Sequence, residues 1–197
     1  MANATNTNFT HNFAAGYLAL MGSTTAENVG AYNNALGVSA LTANTTGSYN
    51  NALGQSALFS NTTGEYNNAL GSNALRKNMT GAENSAIGHD SLFNNTSGSY
   101  NFAGGNNALN ANTTGAYNTA IGLSALRNTS IGNSNIALGW NALLGSGGNS
   151  MSSSTALGAW AGKTNTTGNN NLYLGDEADA LAGPYSNSAA IGPHAKV

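Results

Sequence analysis

Gly47-Ser48-Tyr49-Asn50-Asn51-Ala52-Leu53-Gly54-Gln55-Ser56-Ala57-Leu58-Phe59-Ser60-Asn61-Thr62-Thr63 is one unit of a repeat that occupies nearly the whole chain. Its opening glycine recurs at Gly30, Gly47, Gly64, Gly81, Gly98, Gly115 and Gly132, every step being 17 residues. Its middle glycine recurs with the same step at Gly37, Gly54, Gly71, Gly88, Gly105, Gly122 and Gly139. The register slips by two residues through Gly145-Ser146-Gly147-Gly148 and resumes at Gly158, Gly175 and Gly192. Upstream, His11-Asn12-Phe13-Ala14-Ala15-Gly16 aligns with Tyr32 to Gly37, after which four residues are inserted near Met21 to Glu27. Counted by the middle glycine there are 11 copies. Residues 1–9 form a polar leader, and residues 10–197 read as one repeat domain without linker or second domain.

A period of 17 is too short for a helical hairpin repeat, which needs more than about 30 residues. Gly and Asn at fixed places in every unit also oppose helix. Each unit carries two large aliphatics five residues apart. One column is Leu36, Leu53, Leu70, Ile87, Ile121, Leu138, Leu157, Leu174 and Ile191, with Gly104 as its gap. The other contains Leu20, Leu41, Leu58, Leu75, Leu92, Leu109, Leu126 and Leu143. This pattern predicts an all-β parallel solenoid of 17-residue coils, with two short strands per coil bounded by Gly and Asn turns. Stacking at the ~4.8 Å strand spacing places each residue above its equivalent, so both aliphatic columns are expected to be core ladders. Asn and Thr columns are expected to bond along the axis. Two aliphatics per coil make a thin core, so part of these columns is expected to be covered by neighbouring chains.

Composition narrows the function. Charged residues are 6% of the chain against roughly 25% in an average protein. The net charge of −2 gives no footprint for nucleic acid or an acidic membrane. With no cysteine there is no disulfide frame, zinc-thiolate site or cysteine nucleophile. No apolar run approaches the roughly 20 residues of a membrane-spanning helix, and Met1 to Ala15 does not read as a signal peptide. No cofactor is expected.

Asn118-Thr119-Ala120-Ile121-Gly122-Leu123-Ser124-Ala125-Leu126 resembles the head repeats of trimeric autotransporter adhesins of the YadA type, and equally the Asn-Thr-Thr-Gly-rich repeats of bacteriophage tail fibres. The resemblance covers roughly Thr10 to Gly192 and recurs in frame. It implies a left-handed β-roll, three chains side by side, and an adhesive or fibrous role outside the cell or on a virion. The sequence shows no coiled-coil stalk, basic neck or barrel segment, so a structural fibre or filament subunit is expected rather than a self-standing autotransporter. The expected partner is the chain itself, as a homotrimer and head to tail through the repeat-like ends. Cell-surface glycans are a second class of partner. The rival readings are a glycan-binding head and an ice-binding solenoid.

Few residues suggest chemistry. His11, His89 and His194 fall in different coils and are not spaced as metal ligands. Asp176-Glu177-Ala178-Asp179 is the one acidic cluster, to be read either as oxygen ligands for Ca²⁺ or as a solvated charged end. Glu65 and Glu83 are 18 residues apart and are expected to lie near each other on adjacent coils. No enzyme is expected from these groups. Gly145 to Gly148 lacks the Lys-Ser/Thr ending of a phosphate-binding loop. Sequons at Asn44, Asn61, Asn78, Asn95, Asn112, Asn128 and Asn165 read as one recurring corner, open to glycosylation or simply turn-forming. Tyr32, Tyr49, Tyr66, Tyr100 and Tyr117 form a column interrupted by Glu83. It is a candidate surface-binding ladder for sugars, or a stiffening stack.

Overall fold

The computed structural model describes residues 11–22, 30–145, 150–180 and 185–197. The leader at residues 1–9 and most of the Met21–Glu27 and Gly145–Gly148 insertions lie outside them. The fold is an all-β parallel solenoid of about ten turns. Its strands are β1 (Phe13–Ala15), β2 (Asn34–Leu36), β3 (Asn51–Leu53), β4 (Asn68–Leu70), β5 (Ser85–Ile87), β6 (Phe102–Gly104), β7 (Thr119–Ile121), β8 (Ile136–Leu138), β9 (Thr155–Leu157), β10 (Leu172–Leu174) and β11 (Ala189–Ile191). They form one sheet whose order follows the chain. Pairing joins equivalent repeat positions, such as Asn51 to Asn68 and Leu53 to Leu70.

Each coil has one strand, not the two expected from the pair of aliphatics. After Gly54 the chain does not extend again, because Ser56 and Leu58 take φ values of 56° and 51°. Tyr49, at φ 59°, makes a third left-handed corner. Such conformations cost on the order of 1 kcal/mol or more for residues other than glycine. The stacked hydrogen bonds offset that cost. Within one coil, Asn51 N donates to Asn67 O, Gly54 N to Leu36 O, Ser56 N to Val38 O, Leu58 N to Ala74 O and Thr62 N to Met79 O. The backbone is therefore bonded to the coils on both sides far beyond its three-residue strand.

Both glycine columns answer to close stacking. A Cβ at Gly54 would stand 2.5 Å from the Gly71 carbonyl oxygen, at a φ of +137°. A Cβ at Gly64 would stand 2.4 Å from both Gly81 O and Asn61 Oδ1.

The interior is narrow. Leu41, Leu58, Leu75, Leu92, Leu109 and Leu126 are fully buried, with Ala52, Ala57 and their equivalents around them. The other expected core ladder lies outside. Leu36, Leu53, Leu70, Ile87, Ile121 and Leu138 are 39–46% exposed in the single chain. The cause is the two-residue alternation of a strand. Ala52 points inward, so Asn51 and Leu53 on either side of it point outward. The interior holds alanine there because Leu58 and two asparagines already fill the coil.

Those asparagines form two buried ladders. Asn50 Nδ2 donates to Gly64 O at 2.8 Å and to Asn33 Oδ1 at 3.1 Å. Its Oδ1 accepts from Asn67 N at 3.0 Å and Asn67 Nδ2 at 3.1 Å. Asn61 Nδ2 donates to the same Gly64 carbonyl at 3.0 Å and to Asn44 Oδ1 at 2.9 Å. Buried amides so fully paired carry little desolvation penalty.

Candidate functional site

Two surfaces stand out. The first is the outward strand face. Leu36, Leu53, Leu70, Ile87, Ile121, Leu138, Leu157, Leu174 and Ile191 make an exposed aliphatic stripe along the rod. Beside it Asn34 Nδ2 donates to Asn51 Oδ1, and Asn51 Nδ2 to Asn68 Oδ1, at 2.7 and 2.8 Å. Phe102 and Ile136 replace these polar residues further along, widening the apolar face.

The second is the aromatic column. Tyr32, Tyr49 and Tyr66 stack with centroids 4.8–4.9 Å apart and rings within 9° of parallel. His11 stacks on Tyr32 at 4.9 Å, which extends the column by one coil. Tyr100 and Tyr117 form a second stack. Stacking covers most ring faces, so the column offers mainly ring edges and hydroxyls to a sugar. Free faces occur only where a stack ends. One such break is at Glu83, where an open cleft of about 470 Å³ is lined by Tyr66 and Glu83. The Tyr100 hydroxyl donates to the Glu83 carboxylate, and that bond together with the carboxylate's charge holds the phenol pKa above its usual value. Glu83 N also donates to Glu65 O at 2.9 Å, so the two acidic residues are neighbours on adjacent coils.

The remaining candidates disperse. His89 lies 3.3 Å from Asp90, and His194 lies 3.6 Å from Glu177. The acidic cluster does not converge. Asp176 is exposed, Glu177 faces Lys163 and His194, and Asp179 is fully buried. Asp179 Oδ1 accepts from Thr164 N, Thr164 Oγ1 and Ala180 N at 2.9–3.1 Å. Among the described residues no group of three or more His, Asp or Glu is placed to hold a metal ion. No described helix is long and apolar enough to cross a membrane.

The sequons do not share one accessible corner. Asn44, Asn61, Asn78, Asn95 and Asn112 are buried members of the second ladder, and Asn165 is buried at the same position of its coil, where it bonds Gly168. Their amides face the interior of the folded coil, out of reach of a modifying enzyme. Asn128 sits one residue off register and bonds Gly145 O instead, while Thr129 takes the ladder position. Thr45, Thr62, Thr96 and Thr113 turn their hydroxyls to carbonyls of the next coil.

The chain matches no protein-family model, and no curated protein or solved structure is significantly similar to it.

Proposed function

We propose that the chain is a non-catalytic structural rod, a fibre or filament subunit that associates side by side as a homotrimer and works at a cell surface or on a virion. The observation that carries this is the aliphatic stripe. Nine large side chains, 38–63% exposed, recur on one face over roughly 43 Å of rod. A contiguous apolar patch of several hundred Å² marks an interaction surface. A stripe with the same period as the backbone is self-complementary, because an identical rod presents the same ridges at the same ~4.8 Å steps. The YadA-like resemblance supplies the number three. A heterologous contact from one sheet end to the other would extend such a rod into a filament. Its support is the open linear strand order from β1 to β11.

The test is sedimentation equilibrium of the intact protein and of a Leu53→Ser, Leu70→Ser, Ile87→Ser variant. The expected mass is three times the 19.7 kDa of one chain, falling to one chain in the variant with β-structure retained. A stable monomer of the unmodified protein rejects the reading.

A further inference from the structure

The break in the tyrosine column is built like a cation slot found occupied elsewhere on the same rod. In a different column, Phe59, Arg76 and Phe93 stand on three successive coils. The Arg76 guanidinium lies 5.4 Å from the Phe59 ring centroid and 5.6 Å from that of Phe93. Two rings two coils apart therefore leave room for one cation between their faces. Tyr66, Glu83 and Tyr100 repeat this arrangement with the middle residue changed. Two coil steps separate the rings by ~10 Å. The side chain between them is acidic and shorter than an arginine.

The charges around the slot agree. No ion pair among the described residues involves Glu83 or its neighbour Glu65. Arg76 and Lys77 are instead held at the phenylalanines of the other column. The free Tyr66 face and a carboxylate bonded to the neutral Tyr100 hydroxyl, but to no cation among the described residues, select for positive charge, since the π face carries negative potential.

We propose that the open cleft at this break, lined by the Tyr66 ring and Glu83, binds a quaternary ammonium head group. A nitrogen one coil step above the Tyr66 face would lie ~5 Å from that ring's centroid, inside the ~6 Å reach of cation–π attraction. A trimethylammonium group sets its methyls against the ring face while its charge stays within reach of the carboxylate. The carboxylate supplies the counter-charge. The inference does not depend on the trimer, because the slot is complete within one chain.

The test is a titration of the intact protein with choline, followed by NMR of the tyrosine rings, with 3,3-dimethylbutanol as the uncharged isostere. The expected result is saturable shifts of Tyr66 and Tyr100, at least tenfold weaker with the isostere. Glu83→Tyr continues the stack through the notch and should abolish the shifts while the melting temperature holds or rises. Glu83→Gln keeps the shape and should weaken binding at least fivefold. Co-sedimentation with phosphatidylcholine and with phosphatidylglycerol vesicles separates the sources. Retention on the first alone assigns the site to a lipid head group. Choline binding without retention assigns it to a soluble ligand. Absent choline shifts, equal shifts with the isostere, or unchanged shifts in Glu83→Tyr overturn the proposal.

Discussion

The coils from Gly30 to Gly122 and those from Gly158 to Ala180 solve the same packing problem with different residues. In the regular coils the strand contributes an inward alanine and the left-handed turn a buried leucine, as with Ala69 and Leu75. Beyond Gly158 the strand instead contributes Tyr173, fully buried, and the leucine column reads Leu143, Gly162, Asp179. The exchange is compensated. A Cβ at Gly162 would lie 2.6 Å from Tyr173 Cδ2 and 2.7 Å from Leu143 Cδ2, so the phenol fills the space a leucine would occupy. The solenoid thus conserves the volume of a layer rather than the residue at a position. The exchange leaves two polar atoms of this region, Tyr173 Oη and Asp179 Oδ2, buried without hydrogen-bond partners.

The largest expected effect breaks the regular core. Leu58→Asp places an unpaired charge in a fully buried position and should abolish folding, at a cost of ~4 kcal/mol or more. Leu53→Asp, five residues away on the exposed stripe, should leave circular dichroism and coil melting nearly unchanged and impair only self-association. Next is Asn67→Ala, which removes the acceptor of Asn84 N and a donor to Gly81 O. A loss of ~3 kcal/mol in chemical denaturation is expected from the orphaned amide and the cavity.

Restoring the repeat's leucine in the irregular region should harm it. Gly162→Leu overpacks against Tyr173 and should cost ~2 kcal/mol. Adding Tyr173→Ala should recover most of that, and a double-mutant cycle measures the coupling. Additive losses would mean that the two columns do not share volume.

A smaller gain is expected where the second asparagine ladder is interrupted. Asn112 Oδ1 and Thr129 Oγ1 are both buried and unpaired at that break. Thr129→Asn should continue the ladder and stabilise by ~1 kcal/mol, read as a higher melting temperature.

The last effect is absent at neutral pH and appears only at high pH. Burial, with the nearby Asp179 charge, pushes the Tyr173 pKa from 10.0 up to about 12. Below pH 10 the phenol is protonated in both folded and unfolded states. Between pH 10 and about 12 the unfolded chain releases that proton while the folded chain retains it. Stability is therefore lost as pH rises through this window. Tyr173→Phe should lack this part of the alkaline loss, and melting curves of the two proteins should diverge only above pH 10.

Much of the architecture was legible in the repeat itself. Seventeen residues with two fixed glycines and recurring asparagines specify a stacked parallel coil. Leu58 was readable as core because it recurs beside Ala57. Leu53 carried the same signal and lies outside, since aliphatic identity does not reveal whether the local backbone is extended or left-handed. The sequon asparagines other than Asn128 were readable as turn formers, each bonding the glycine carbonyl three residues on, but not as buried groups. Their Asn-Thr-Thr-Gly context reads as a turn, yet the turn aims the amide into the coil. Glu83 was visible as a gap in the tyrosine column. That the stack hides its ring faces everywhere but at such gaps follows from the ~4.8 Å coil step acting on planar side chains.

The sequence by itself determined the coil length, its register, and the places where only glycine is tolerated, because those follow from a strict period and from backbone stacked against backbone. The tertiary structure decided which aliphatic column faces in, how Tyr173 and Gly162 exchange volume, and which tyrosine faces are free. Each depends on groups 17 residues or more apart meeting in one layer or in adjacent ones, and on the left-handed turns at Tyr49, Ser56 and Leu58 that rotate the intervening side chains. A one-dimensional period specifies neighbours along the axis of the rod, but it does not specify direction across it.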